Sequence, residues 1–157
     1  MKILVMGLPG SGKTTLAKVL TPMFNAIHLN ADEVRKELND WDFTPTGRTR
    51  QAERMKTYAE RHIKANRVVI ADFVCPTEQT RQDFGADYIV YMDTIKESQY
   101  EDTNKMFEKP SNYDFKVNHK DAYMWAFLIK QDILDKHGNL GPHSKWHGTT
   151  KNLLHRC

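Results

Sequence analysis

The sequence is sparing in several things. It has two cysteines, Cys75 and Cys157, in 157 residues, so no disulfide framework holds it together. No apolar run approaches the roughly 20 residues of a membrane-spanning helix. The opening residues, "MKILVMG", are too short an apolar stretch for a secretory leader and run straight into a glycine-rich loop. No repeat, linker or low-complexity tract divides the chain. Neither sign of charge dominates: 23 Lys and Arg against 20 Asp and Glu leave a formal charge of +3. So mild an excess does not favour nucleic acid as a partner, but it suits an anionic small-molecule substrate. The expectation is a cytoplasmic protein with one domain over residues 1–157 and no membrane partner.

What is present is alternation. "KILVM" (2–6), "AIHL" (26–29), "RVVIADF" (67–73) and "YIVYMD" (88–93) read as buried strands. Helical spacing fills the stretches between them: residues 13–24, closed by Pro22; 31–40, with Val34 and Leu38 four apart; and 48–66, with Ala52, Met55, Ala59 and Ile63 on one face. Residues 41–47 read as a loop, and 99–115 as polar, irregular and proline-bearing. A strong helix is predicted over 120–138, with Gly138 as its C-cap and Trp125, Phe127 and Leu128 in the core. Residues 139–157 carry little pattern. Strands alternating with helices predict an α/β fold, a mostly parallel central sheet flanked by helices in three layers.

The stretch between the first strand and the first helix has the most specific pattern. Gly7, Leu8, Pro9, Gly10, Ser11, Gly12, Lys13, Thr14 and Thr15 contain G-x-x-x-x-G-K-[ST] in the context it requires, a strand before and a helix after. Glycines let the backbone pass close to a phosphate, successive N–H groups form an anion cradle, and the helix adds its positive end. Lys13 reaches the β- and γ-phosphates, and Thr14 offers its hydroxyl to Mg²⁺. The alternative, a chance glycine-rich turn, leaves the full pattern unexplained. ATP with Mg²⁺ is the expected donor, bound by residues 7–15.

Candidates for the acceptor side follow the second strand. Asp32, in "NADEVR", is placed to orient or deprotonate an acceptor hydroxyl or to hold Mg²⁺ through water; the alternative is a carboxylate that only favours the helix dipole. Arg48 and Arg50 stand at the start of a predicted helix, where the dipole disfavours cations, so an anion is expected beside them. The alternative is a solvated basic face that also includes Arg54. Asp72, at the tip of the central strand, is read either as a Walker-B-type magnesium contact or as a structural hydrogen-bonding group.

These motifs resemble those of the adenylyl-sulfate kinases, P-loop enzymes that phosphorylate the ribose 3′-hydroxyl of adenosine 5′-phosphosulfate (APS). The resemblance runs from residue 3 to about 110. It rests on the loop at 7–15, on "NADEVR" at 30–35, on Leu38, Asn39, Phe43, Arg48 and Arg54, on "FVCP" at 73–76 followed by Arg81, and on "VYMDT" at 90–94. It implies a P-loop kinase fold, ATP and Mg²⁺, and APS as the small-molecule acceptor. It also implies roles. Asp32 would meet the acceptor hydroxyl, and Arg35 and Arg48 would hold the phosphosulfate. Phe43 would stack on the acceptor adenine. Val74 and Cys75 would lie beside the substrate. Asp102 to Lys109, within a lid of about 98–112, would close over the phosphates and exclude water.

The departures bear mainly on the acceptor. Asn30 and Ala31 replace the first two residues of the family's D-G-D, and Gln51 stands where an asparagine is usual. Glu101 replaces a lid arginine and Asn104 a lid lysine, leaving Lys105 or Lys109 as substitutes. Other acceptors (nucleosides, polynucleotide ends, modified DNA bases) and a nucleotide-binding regulatory module are the competing readings. Phe107 and Phe115 are candidates to stack on an adenine, or else satellite core. Cys75 has no partner base and reads as packing rather than as a nucleophile. His143, His147, His155 and Cys157 make a weak metal pattern. Family members are often dimers, but the poorly matching C-terminal part carries nothing over, and the oligomeric state stays open.

Overall fold

The computed structural model describes residues 1–138; the C-terminal stretch 139–157, with its histidines and Cys157, lies outside the described residues. The elements in chain order are β1 (Lys2–Met6), α1 (Lys13–Met23), β2 (Ile27–Asn30), α2 (Ala31–Leu38), α3 (Pro45–Lys64), β3 (Val69–Asp72), α4 (Glu78–Phe84), β4 (Tyr88–Met92), α5 (Glu101–Met106), β5 (Phe115–Val117) and α6 (Ala122–His137). The strands form one sheet in the order β2-β3-β1-β4-β5, and every pairing is parallel. Parallel neighbours need crossovers, and the helices supply them.

The two faces of the sheet bury different side chains. Ile3, Val5, Ile70 and Val90 pack beneath α1 and α6, against Leu16, Leu20, Ile129 and Ile133. Leu4, Met6, Val69 and Ala71 point the other way, toward Val34 of α2, Met55 and Ala59 of α3, and Phe84 of α4. Alternate residues of β1 are fully buried on both faces, which is why that strand reads as an unbroken apolar run. The result is the three-layer α/β architecture predicted from the sequence. No helix of the described residues is long and apolar enough to cross a membrane.

Several local readings need correction. The loop read over 41–47 is shorter: Thr44 caps α3 through the Gly47 N–H, and Pro45 takes the first turn, where its missing N–H costs nothing. The irregular stretch 99–115 contains α5 and ends in β5, a three-residue edge strand too short to show a period. Helix α4, closed by Gly85 in the left-handed conformation, also went unread. Phe127 and Leu128 are exposed at 58% and 41%, so they are not core. The buried positions of α6 are Ala126, Ile129 and Ile133. Gly138 does end α6, its N–H donating to the Leu134 carbonyl.

Candidate active site

Because all five strands run parallel, their carboxyl ends lie along one edge, where ligands of open α/β sheets bind. The loop from Gly7 to Gly12 leaves β1 at this edge. A side chain at Gly7 would place its Cβ 2.8 Å from the Met92 carbonyl oxygen and 3.0 Å from Ser11 Oγ, so only glycine fits. Gly10 and Gly12 have φ of 82° and 98°, the left-handed region that other residues avoid. Gly12 is the N-cap of α1 and brings no side-chain cap, and no acidic residue stands in the first turn. The positive end of α1 is therefore open to an external anion. The buried Ser11 hydroxyl has no hydrogen-bond partner among the described residues. Lys13 is buried, and its Nζ donates to the Leu8 carbonyl at 2.9 Å. Burial lowers its pKa to about 8 against the opposing pull of Asp72 and Asp32.

Behind the loop lies a polar network. Thr14 Oγ1 donates to Asp72 Oδ1 at 3.0 Å. His28 Nε2 lies 2.5 Å from Asp72 Oδ2. The Asn30 amide donates to both Asp72 oxygens at 3.2 and 3.1 Å and to Thr14 at 3.1 Å, while its carbonyl caps α2 through the Glu33 N–H. Asp72, 2% exposed, is thus fully engaged. Both sequence readings of Asp72 are compatible with this: it is hydrogen-bonded, and it touches the P-loop threonine. Among the described residues no cluster of three His, Cys, Asp or Glu could hold a metal. The donor set fits a magnesium ion that arrives with a nucleotide and keeps most of its ligands from phosphate and water.

Two cavities meet at this edge. The larger, about 920 Å³, is lined by Gly10, Lys13, Thr14, Asp72, Asp102 and Lys120 among others. The second, about 550 Å³, runs between α3 and the segment after β3, past Arg35, Gln51, Cys75, Pro76 and Met106. Asp32, Phe43, Arg48 and Val74 line both. The structure therefore brings most of the predicted acceptor residues to one place. Lys105 and Phe107 line neither cavity. Lys105 is exposed and pairs with Glu101. Phe107 packs against Tyr91 and beneath the Arg81 guanidinium, so it is satellite core, and Phe115 likewise packs on Trp125.

The arginines divide. Arg50 binds Asp40 (2.9 and 3.2 Å) and Asp42 (3.1 Å), and Arg54 binds Asp40 at 2.6 Å. The anion expected beside the start of α3 is thus, for Arg50, the chain's own loop after α2. The Arg50 and Arg54 guanidiniums hold the Asp40 carboxyl well below the usual carboxylate range. Arg35 is buried and donates to the Asp40 and Asp42 carbonyls at 2.9 and 3.1 Å, with its guanidinium 4.3 Å from the Phe43 ring. Arg48 lies between the cavities and donates to the Phe43 carbonyl, to Asp102 Oδ2 at 3.0 Å and to Thr103 Oγ1 at 3.1 Å. Gln51 holds the Ala31 carbonyl at 2.9 Å, next to Asp32. Cys75 is fully buried, with φ of 46°, and burial pushes its thiol up to about 12. That agrees with packing rather than nucleophilic chemistry.

Three residues at the site were not singled out from sequence. Asn30 registered only as a departure from a motif. His28 and Asn30 sit two apart and so face the same side of β2, a signal that was readable. Lys120 gave no signal, because its position depends on β5.

A family profile described as AAA domain matches residues 3–86, more than half of the chain. No protein of curated function matches in sequence. Among solved structures, an APS kinase from Mycobacterium tuberculosis in complex with AMPPNP and APS superposes with a TM-score of 0.69 at 18% identity, over 84% of this chain and 96% of that one. An unliganded sugar kinase from Janibacter gives 0.67 at 16% identity, over 90% and 98%. Shikimate kinase from Aquifex aeolicus gives 0.62 at 19%, over 85% and 96%. These likenesses establish the fold, that of the P-loop kinases.

Proposed function

The chain belongs to the AAA domain family, and from that premise we propose that it is an ATP-dependent phosphotransferase that moves the γ-phosphate of ATP onto a hydroxyl of a small anionic acceptor. The observation that carries the reading is that Asp32 lines both cavities, the one floored by the P-loop and the one walled by α3. A carboxylate at that junction can accept the proton of an acceptor hydroxyl as its oxygen attacks the phosphorus. Lys13 and the open end of α1 would neutralise the transferring phosphoryl group, which is the larger part of such catalysis. Magnesium, held by the Thr14 hydroxyl and through Asp72, would supply further charge neutralisation. Residues 98–112 would form the lid, tied to the acceptor side through the Arg48–Asp102 ion pair.

For the acceptor we propose APS, phosphorylated at its 3′-hydroxyl. The half-exposed Phe43 ring at the cavity junction suits stacking on a base, and Arg48, which lines both cavities, would hold the phosphosulfate on exchanging its Asp102 partner. Incubation with γ-labelled ATP, magnesium and APS tests the reading, with nucleosides, 5′-hydroxyl oligonucleotides and hydroxymethylated DNA run in parallel. Label in 3′-phosphoadenosine 5′-phosphosulfate, forming at least about 10²-fold more slowly with Asp32→Asn, is the expected result.

One observation favours a different hydroxyl acceptor: Arg35, Arg50 and Arg54 spend donors on the chain's own carbonyls and carboxylates, leaving few cations for a phosphosulfate. Label appearing only in another acceptor would select that second reading. No transfer to any acceptor, with ATP bound, would overturn the kinase reading.

A further inference from the structure

On the P-loop kinase reading, the segment 98–112 brings no cation to the nucleotide cavity, which it lines with Ser98, Gln99, Tyr100, Asp102 and Thr103. Glu101 stands where the adenylyl-sulfate kinases carry a lid arginine, and neither substitute on the lid takes its place. Lys105 is 77% exposed and bound to Glu101, and neither it nor Lys109 lines the nucleotide cavity. Lys120 is a cation that does line it. Lys120 follows β5, on the turn that leads into α6. Its Nζ donates to the Gly10 carbonyl at 2.9 Å, and its side chain crosses Gly12, where an added Cβ would lie 3.9 Å from Lys120 Cγ. It lines the larger cavity beside Lys13 and Thr14.

We propose that Lys120 is a donor-positioning residue for this kinase: a second cation that holds the nucleotide's phosphates beside the P-loop glycines. The proposal rests on the kinase reading of the site. The cation is exposed and has no carboxylate partner among the hydrogen bonds and ion pairs of the described residues, so its charge is free to meet an anion. Its present acceptor, the Gly10 carbonyl, belongs to the same loop that would wrap the phosphates. A nucleotide phosphate oxygen can replace that carbonyl with a short swing of a flexible side chain and a stronger, charge-assisted bond. A purely structural brace predicts something else: a looser P-loop and weaker binding of every ligand alike.

The two are separated by measuring affinity for ATP, ADP, AMP and adenosine with magnesium, using the wild-type chain, Lys120→Met and Lys120→Arg, with thermal midpoints alongside. The expected result is a loss on the order of tenfold for ATP with Lys120→Met, the size of one charge-assisted hydrogen bond. The loss should shrink toward adenosine, be largely recovered in Lys120→Arg, and come with an unchanged midpoint. Equal weakening of adenosine and ATP, or no weakening of either, would overturn the proposal while leaving the kinase reading intact. Failure of the wild-type chain to bind ATP would overturn both.

Discussion

Asn30 and Asp72 are paired across β2 and β3, and the Asn30 amide donates to both carboxylate oxygens of Asp72. The same asparagine caps α2, so one side chain fixes the strand end, the helix start and the carboxylate behind Thr14. Asn30→Asp would replace the donor with a second anion beside a buried one. It should destabilise the unliganded protein by about 1–3 kcal/mol, lowering the thermal midpoint by roughly 3–9 °C. Asn30→Ser keeps the cap and should cost less. A midpoint unmoved by Asn30→Asp would mean that the pair contributes nothing to stability.

Lys13 makes a pH prediction. Its folded-state pKa of about 8 lies below the ordinary lysine value of 10.5 because burial disfavours the cation. A triphosphate on the loop favours the cation, so binding ATP just above pH 8 should take up a proton. Titration calorimetry in two buffers of different ionisation heat reads this as a difference in apparent binding enthalpy. The sign for folding is opposite. Between about 8 and 10.5 the unfolded chain holds a proton that the folded chain has lost, so this group's contribution to stability rises with pH there. Equal enthalpies in both buffers would contradict the assignment.

Gly47 sits in the first turns of α3, where a Cβ would come within 2.2 Å of the Asp42 carbonyl oxygen. Gly47→Ala must push that loop away from α3 and from the Arg35 guanidinium. The expected outcome is weaker acceptor binding, with KM for the acceptor raised severalfold and ATP affinity unchanged. A midpoint lowered by several degrees should accompany it. An unchanged acceptor KM would show that the loop at 40–44 does not shape that cavity.

Cys75 should resist alkylation. Its thiol is pushed up to about 12 by burial, and almost no thiolate exists near neutrality. Mass spectrometry of the Cys75 peptide after iodoacetamide treatment should find it unmodified in the native protein and modified in concentrated urea. Rapid native labelling would require an exposed, activated thiol.

The fold class was legible in the alternation of strands and helices, and the candidate site in a few short stretches of sequence. The P-loop was legible because its chemistry constrains consecutive residues: the glycine angles, Lys13 and Thr14 all lie within one short stretch. Asp32 was legible because it follows directly on a strand end. The elements within and after residues 98–112 were not legible, because α5 and β5 are short and gain their structure from packing: Thr103 is buried and Phe107 rests on Tyr91. The partners of the arginines were not legible for a related reason. The sequence pointed to an anion beside Arg48 and Arg50 without saying which, and only the turn after α2 brings Asp40 and Asp42 to Arg50 and Arg54. The apolar face of α6 was assigned by residue type, yet the sheet covers Ile129 and Ile133 and leaves Phe127 outside.

Phosphoryl transfer by Asp32→Asn, set beside its nucleotide affinity, decides whether Asp32 serves as the proton acceptor. The substitution keeps shape and hydrogen bonding but removes the proton acceptor at the cavity junction. The expected result is a kcat lowered by about 10²–10⁴, the range of general-base catalysis, with the affinity for ATP changed less than about threefold. Full turnover in Asp32→Asn, or transfer and ATP binding lost together, would contradict the role of Asp32 as the carboxylate shared by donor and acceptor.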